Sequence, residues 1–184
     1  MQIALAALTL IVLSAAIPVI FRVKRECEGV GVLSDLTVTV VWCQYLAIAA
    51  AASLSATFSA WPMQLPRAVE MLLGVSSDAI GVALVLWGLA SMASFRRMSG
   101  TRPDRLIQGG AFRFSRNPQN VGVALMLVGV SFLLDSGLAL VAALGFWAVF
   151  YAYLGYEESH LAKVFGVEYE RYRRHTPRFF GVPR

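Results

Sequence analysis

Hydrophobic positions along this chain come as long runs without charge, separated by short clusters of arginine and lysine. The uncharged runs cover Ile3 to Phe21, Leu36 to Trp61, Ala79 to Phe95, Gln119 to Leu134 and Ser136 to Tyr156. A hydrocarbon core of ~30 Å needs about 20 helical residues, so the first, second and fifth runs are long enough to cross it and the third and fourth are short. The short runs lack the polar face that a surface helix of a soluble protein requires. The pattern predicts an all-α polytopic membrane protein of five transmembrane helices, the last pair closing a hairpin at Asp135-Ser136-Gly137.

Composition agrees. At 58% hydrophobic and 15% charged residues the chain is far more apolar than a soluble domain, in which charged residues make up about 25%. Nothing in the sequence marks a second domain, and the single domain divides into three N-terminal spans (1–95), a connector (96–118), the hairpin (119–156) and a tail (157–184). The first run has no basic residue before it and Arg22, Lys24 and Arg25 after it, the reverse of a cleaved secretory signal, so it reads as an anchor.

Five spans place fifteen of the sixteen basic residues on one side, in Arg22 to Arg25, Arg96 to Arg116 and Lys163 to Arg184, and leave Arg67 opposite. The positive-inside tendency makes that side cytoplasmic, with the N-terminus outside and the C-terminus inside. The net charge of +5 is thereby explained without nucleic acid, and anionic lipid headgroups are the expected counterpart. With 14 Arg against two Lys, the usage is that of a GC-rich bacterial genome, for which the membrane would be the inner one. Cys27 and Cys43 fall at different depths and predict no disulfide. Oligomeric state is not legible.

The candidate chemistry lies on either side of the hairpin. Pro118 disfavours helix at Asn117, so Arg116 and Asn117 fall in a turn before the fourth helix, whose free N–H groups and dipole would seat an anion. Arg116 adds a bidentate donor, or serves simply as one more interfacial anchor. Glu157 and Glu158 close the fifth helix, where like charges and the helix dipole disfavour them. Since neighbours on a helix diverge by about 100°, one would enter a cavity while the other pairs with Arg or Lys, unless both belong to a solvated collar. Tyr169 and Tyr172, three apart, share a helical face and offer rings to a flat ligand. Small residues, Gly122 and Gly129 on the fourth helix and Gly145, Ala148, Ala152 and Gly155 on the fifth, predict close packing of the hairpin. His160 and His175 lack partners at zinc-ligand spacing, so no metal is expected.

The ordered residues Gly110, Phe112, Arg113, Phe114, Arg116, Asn117, Pro118, Gly122, then Glu157, Glu158, Leu161, then Phe165, Gly166, Tyr169, Tyr172, Pro177 resemble the membrane methyltransferase superfamily of isoprenylcysteine carboxyl methyltransferases and phosphatidylethanolamine N-methyltransferases. The resemblance covers about the last 75 residues. It implies an enzyme that binds S-adenosylmethionine at the cytoplasmic end of the hairpin, with the C-terminal segment folded over it. It further implies cofactor contacts at Gly110, Asn117, Pro118, Asn120, Gly122, Glu157, Glu158, Tyr169, Tyr172 and Arg173, and catalytic roles for Arg116 and Glu158. The acceptor would be lipophilic, a lipid or an isoprenylcysteine-like carboxylate, entering from the bilayer. Carboxyl methyltransferases usually carry His and Tyr where this chain has Asn117 and Asn120, and an asparagine takes up no proton near pH 7. Two other readings fit the same residues: an NADPH-dependent enzyme similar to sterol reductases, and a non-enzymatic subunit that binds anionic lipid.

Overall fold

The computed structural model describes residues 1–29, 33–92 and 106–183. Arg96, Arg97, Arg102, Arg105 and Arg184, on which part of the charge argument rests, lie outside the described residues. Within them the chain is helical and without strands: α1 (Gln2–Ser14), α2 (Ala16–Gly29), α3 (Asp35–Thr57), α4 (Arg67–Met92), a 3-10 turn (Gly110–Arg113), α5 (Pro118–Leu133), α6 (Gly137–Phe165) and α7 (Val167–His175).

Four stretches among the described residues are long and apolar enough to cross a bilayer: Gln2–Gly29, Asp35–Thr57, Arg67–Met92 and Gly137–Phe165. The first is α1 and α2 in succession, interrupted at Ala15, three residues before Pro18, whose ring removes a backbone donor. The third corrects the expectation of a short span. Helix α4 begins at Arg67, not Ala79, because Glu70 and Asp78 interrupt the uncharged run without interrupting the helix. Glu70 is nearly fully buried and ion-paired with Arg67 at 3.0 Å, so its charge is matched within the first turn. Helix α5 is the short one: its 16 residues rise about 24 Å, less than the ~30 Å hydrocarbon core. Helix α6 continues nine residues past Tyr156, where the tail was expected to begin, and stops at Gly166, whose φ of 53° is glycine-compatible.

Helix α6 is central, packed by α3, α5, α2 and α1, while α4 lies against α5 in the most extensive helix contact of the molecule. The glycines serve that contact rather than the hairpin expected of them. A Cβ on Gly122 would meet the carbonyl of Gly81 at 2.6 Å, and one on Gly129 would meet the Cγ of Asp78 at 2.6 Å, so the backbones of α4 and α5 approach as closely as only glycine allows. Gly145 instead faces Leu13 of α1. The interior around α6 is built from small and aromatic side chains, Ala142, Ala143, Phe146 and Tyr153 among them. Large apolar residues such as Leu46, Leu72, Leu86 and Leu144 point outward, as a lipid-facing surface requires. The molecule is an integral membrane protein.

At the end of the bundle where α3, α5 and α6 meet, the segment between α3 and α4 is bound to the α5–α6 turn. Gly137 N donates to Trp61 O at 2.8 Å, Leu138 N to Ala60 O at 3.2 Å and Met63 N to the Asp135 carboxylate at 2.6 Å. Ser136 Oγ, which also caps α6, donates to the carbonyls of Ser55 and Ala60. The opposite end carries the candidate chemistry.

Candidate functional site

The turn before α5 forms as the sequence requires. Pro118 opens the helix, and Asn117 precedes it with φ −140°. Asn117 does not cap the helix; its N–H donates to Ser115 Oγ at 3.0 Å and its Nδ2 to Arg178 O at 3.1 Å. Upstream, Gly110 adopts φ 59° to start the 3-10 turn, and a Cβ there would collide with Ser91 Oγ, which accepts the N–H of Ala111 at 3.0 Å. The connector is thereby fastened to α4.

Helix α6 brings Glu158 to this turn. Its side chain is 7% exposed and both oxygens are engaged: Oε1 with Arg116 at 2.8 Å and with Arg178 Nε at 3.1 Å, Oε2 with Arg178 at 2.6 Å. The two consecutive glutamates point apart, as helical geometry requires, but the one turned inward is also the one paired with arginine, where these roles were expected of different residues. Glu158 turns inward to the arginines, while Glu157 is exposed at the mouth, one turn beyond Tyr153. Arg116 is 10% exposed, and its Nε is buried with no partner among the described residues. Two guanidinium groups thus share one carboxylate, and the cluster carries a net positive charge with an unused buried donor. Burial of an unpaired N–H costs ~1 to 3 kcal/mol, a cost that an anion at this position would remove.

Tyr169 and Tyr172 meet in a T-shaped, edge-to-face contact, centroids 6.2 Å apart, and both are buried with Leu106 against the end of α6. The Tyr172 hydroxyl donates to Phe112 O at 2.7 Å, joining α7 to the connector. The Tyr169 hydroxyl lies 3.5 Å from Arg116. Burial, reinforced by the Glu158 charge and opposed by Arg116, pushes its pKa up to about 12, so it stays a neutral hydroxyl. Burial likewise raises Tyr172. The hydrogen bond to Glu158 raises the pKa of Arg178 and keeps it a cation.

The expected site residues therefore divide. Arg116, Asn117, Pro118, Glu158, Tyr169 and Tyr172 converge on one cluster. Gly122 lies away from it, against Gly81 and Val85 of α4. Gly110 is a turn residue beside Ser91, and Arg173 makes a surface pair with Glu170 at 2.9 Å. Asn120 is half-buried on the first turn of α5.

Sequence reasoning missed Arg178, which it counted only among the basic residues of one membrane face. Its signal was its place after Pro177, at the end of the recognised pattern. The segment from Thr176 to Val182 is a strap laid across the connector: Arg116 N donates to Pro177 O at 3.0 Å and Gly181 N to Phe114 O at 3.0 Å. Phe179 packs on Trp147 and Tyr151 of α6, and Phe180 stacks on Phe114, which meets Trp87 of α4.

The molecule is a helical membrane bundle with a buried, net-cationic polar cluster at one mouth. The phospholipid methyltransferase family matches residues 69–168, from α4 into the start of α7, and the chain belongs to that family. No curated protein and no solved structure matches the chain. The matched residues include Arg116, Glu157 and Glu158, whereas Tyr169, Tyr172 and the strap fall beyond them.

Proposed function

We propose that this protein transfers a methyl group from S-adenosylmethionine to a lipophilic acceptor that reaches the Arg116–Glu158 cluster from the bilayer, on the cytoplasmic face. The observation that carries the reading is the pair of guanidinium groups on one buried carboxylate, with Arg116 Nε left unpartnered among the described residues. The carboxylate at the amino-acid end of S-adenosylmethionine fits that donor in charge and geometry. Family membership supports the same cofactor, since methyltransferases of this family generally use it. When bound, the cofactor supplies an electrophilic methyl group on a sulfonium centre.

The residues of the chain do the rest. Arg116 holds the anionic end of the cofactor, and Glu158 sets the plane of both guanidinium groups. Tyr169 offers a neutral hydroxyl beside Arg116 and, with Tyr172, closes the site from water. Asn117 keeps the strap in place through Arg178 O. Such positioning is worth a large part of the acceleration in a displacement between two held reactants. A carboxylate or thiolate acceptor needs no base; an amine must lose a proton, and the carboxylate of Glu157 is the group to receive it. The basic residues of the same face, Arg171 and Arg174 among them, rest against anionic headgroups.

Titration calorimetry of the purified protein with S-adenosylhomocysteine tests the reading. Binding by the wild type and a loss of at least tenfold in Arg116→Ala and Glu158→Ala are expected. Absence of wild-type binding, or unchanged affinity in both variants, refutes it.

A further inference from the structure

Helix α4 carries an ionisable side chain where a bilayer tolerates one least. Asp78 stands 11 residues from Arg67 and 14 from Met92, about 17 and 21 Å along the axis, and so at mid-membrane depth. A carboxyl group there must be neutralised by a proton or a cation. Arg67, the one basic residue of α4, begins the helix and is committed to Glu70. Asp78 Oδ1 is buried against Gly129 of α5 and accepts no hydrogen bond among the described residues, while the residue as a whole is half-exposed. The group is left unmatched within its own chain, on a helix whose extensive helix packing is with α5 alone.

We infer that α4 is the surface on which two copies of this chain pair in the membrane, the carboxyl group of Asp78 in each meeting its counterpart. The residues around Asp78 fit that partner. Met71, Val75, Asp78, Val82, Val85 and Leu89 follow one another at alternating steps of four and three, the repeat of a left-handed helix pair. Met71, Val75, Val82 and Leu89 are 40 to 52% exposed, so the seam is open along its length. A single polar residue in such an apolar seam fixes register and the number of strands. Two copies inserted alike are related by a two-fold axis along the membrane normal, which sets each residue on that axis opposite its own copy at equal depth. A protonated carboxyl carries both an O–H donor and an acceptor oxygen, so it is its own complement. A helix of another protein would have to bring a cation to this depth, whereas a second copy brings all that the bond requires. The pairing goes beyond the methyl-transfer reading and uses none of its residues.

Cross-linking and dimerisation of the full-length protein in liposomes test the inference. In a Cys43→Ser background, which removes the exposed native cysteine, Val75→Cys and Val82→Cys should form disulfide-linked dimers under mild oxidation. Ile80→Cys, near the same depth but on the opposite side of α4, should stay at the level of the background. Single-molecule photobleaching over a range of protein-to-lipid ratios gives the dimer dissociation constant. Asp78→Leu, which keeps the shape of the side chain and loses donor and acceptor, should raise that constant about tenfold. Asp78→Asn, which keeps both, should hold it near wild type. Should Asp78→Leu fail to fold, the cross-links decide alone, since they are made with Asp78 in place. A wild type monomeric at every ratio, equal cross-linking at Ile80→Cys, or an unchanged constant in a folded Asp78→Leu overturns the inference. So does a seam that cross-links in native membranes only to another protein, which would make the partner a foreign helix.

Discussion

Glu158→Ala separates stability from function at this site, and its cost follows from the burial of the partners. Removing the carboxylate leaves Arg116, 10% exposed, without its counter-ion, and Arg178, 36% exposed, with partial access to water. Stranding a buried charge costs about 3 to 5 kcal/mol, and exposed pairs are worth at most about 1 kcal/mol. The Arg116 contact therefore dominates, and a loss near 3 kcal/mol is expected. For a chain of this length that lowers Tm by about 6 to 12 °C. Replacing the pair together, Arg116→Met with Glu158→Leu, leaves unpaired only Arg178, which reaches water, and should unfold within about 1 kcal/mol of wild type. Both proteins should lose S-adenosylhomocysteine binding. Thermal unfolding in one detergent, with calorimetry on the same preparations, measures all of this. If Glu158→Ala unfolds with the wild type, or the double replacement is as unstable as the single one, the buried pairing on which the site is built is refuted.

Other outcomes follow from individual contacts. Gly129→Ala should destabilise by about 1 to 3 kcal/mol, because the new Cβ would meet Asp78 N at 2.9 Å, whereas Gly155→Ala, with nothing within 4 Å, should stabilise by up to about 1 kcal/mol; thermal unfolding separates the two. Tyr172→Phe should cost about 1 to 3 kcal/mol by orphaning Phe112 O, and limited proteolysis should then cleave sooner near α7. Tyr169 binds its proton more tightly folded than unfolded, its pKa rising from 10.0 to about 12. Its contribution is therefore full below pH 10 and is lost as pH rises from 10 towards 12, and Tyr169→Phe should flatten an alkaline unfolding profile in that window.

Uncharged runs and arginine clusters located the spans because lipid tolerates almost no other pattern, and the Arg116 turn was legible because Pro118 dictates it. Helix α4 was misjudged for the same reason: the uncharged run begins only after Asp78, yet one carboxylate held against Gly129 does not end a helix. The inward turn of Glu158 followed from helical geometry, but which glutamate would turn did not. That depends on the phase of α6 against α3 and α5, which is set by contacts distant in sequence. Arg178 was hidden because its role arises only when a strap twenty residues beyond Glu158 folds back onto it.

The start of α6 is bound backbone to backbone by the loop between α3 and α4, whereas its other end meets Arg116 and Arg178 through the Glu158 side chain. Such a bundle behaves as a set of levers on a common fulcrum. Helix α6 is about 43 Å long, so a tilt of roughly 5° about Gly137 moves its far end by about 4 Å. A motion too small to disturb the fastened end thus becomes one of atomic dimensions at the other.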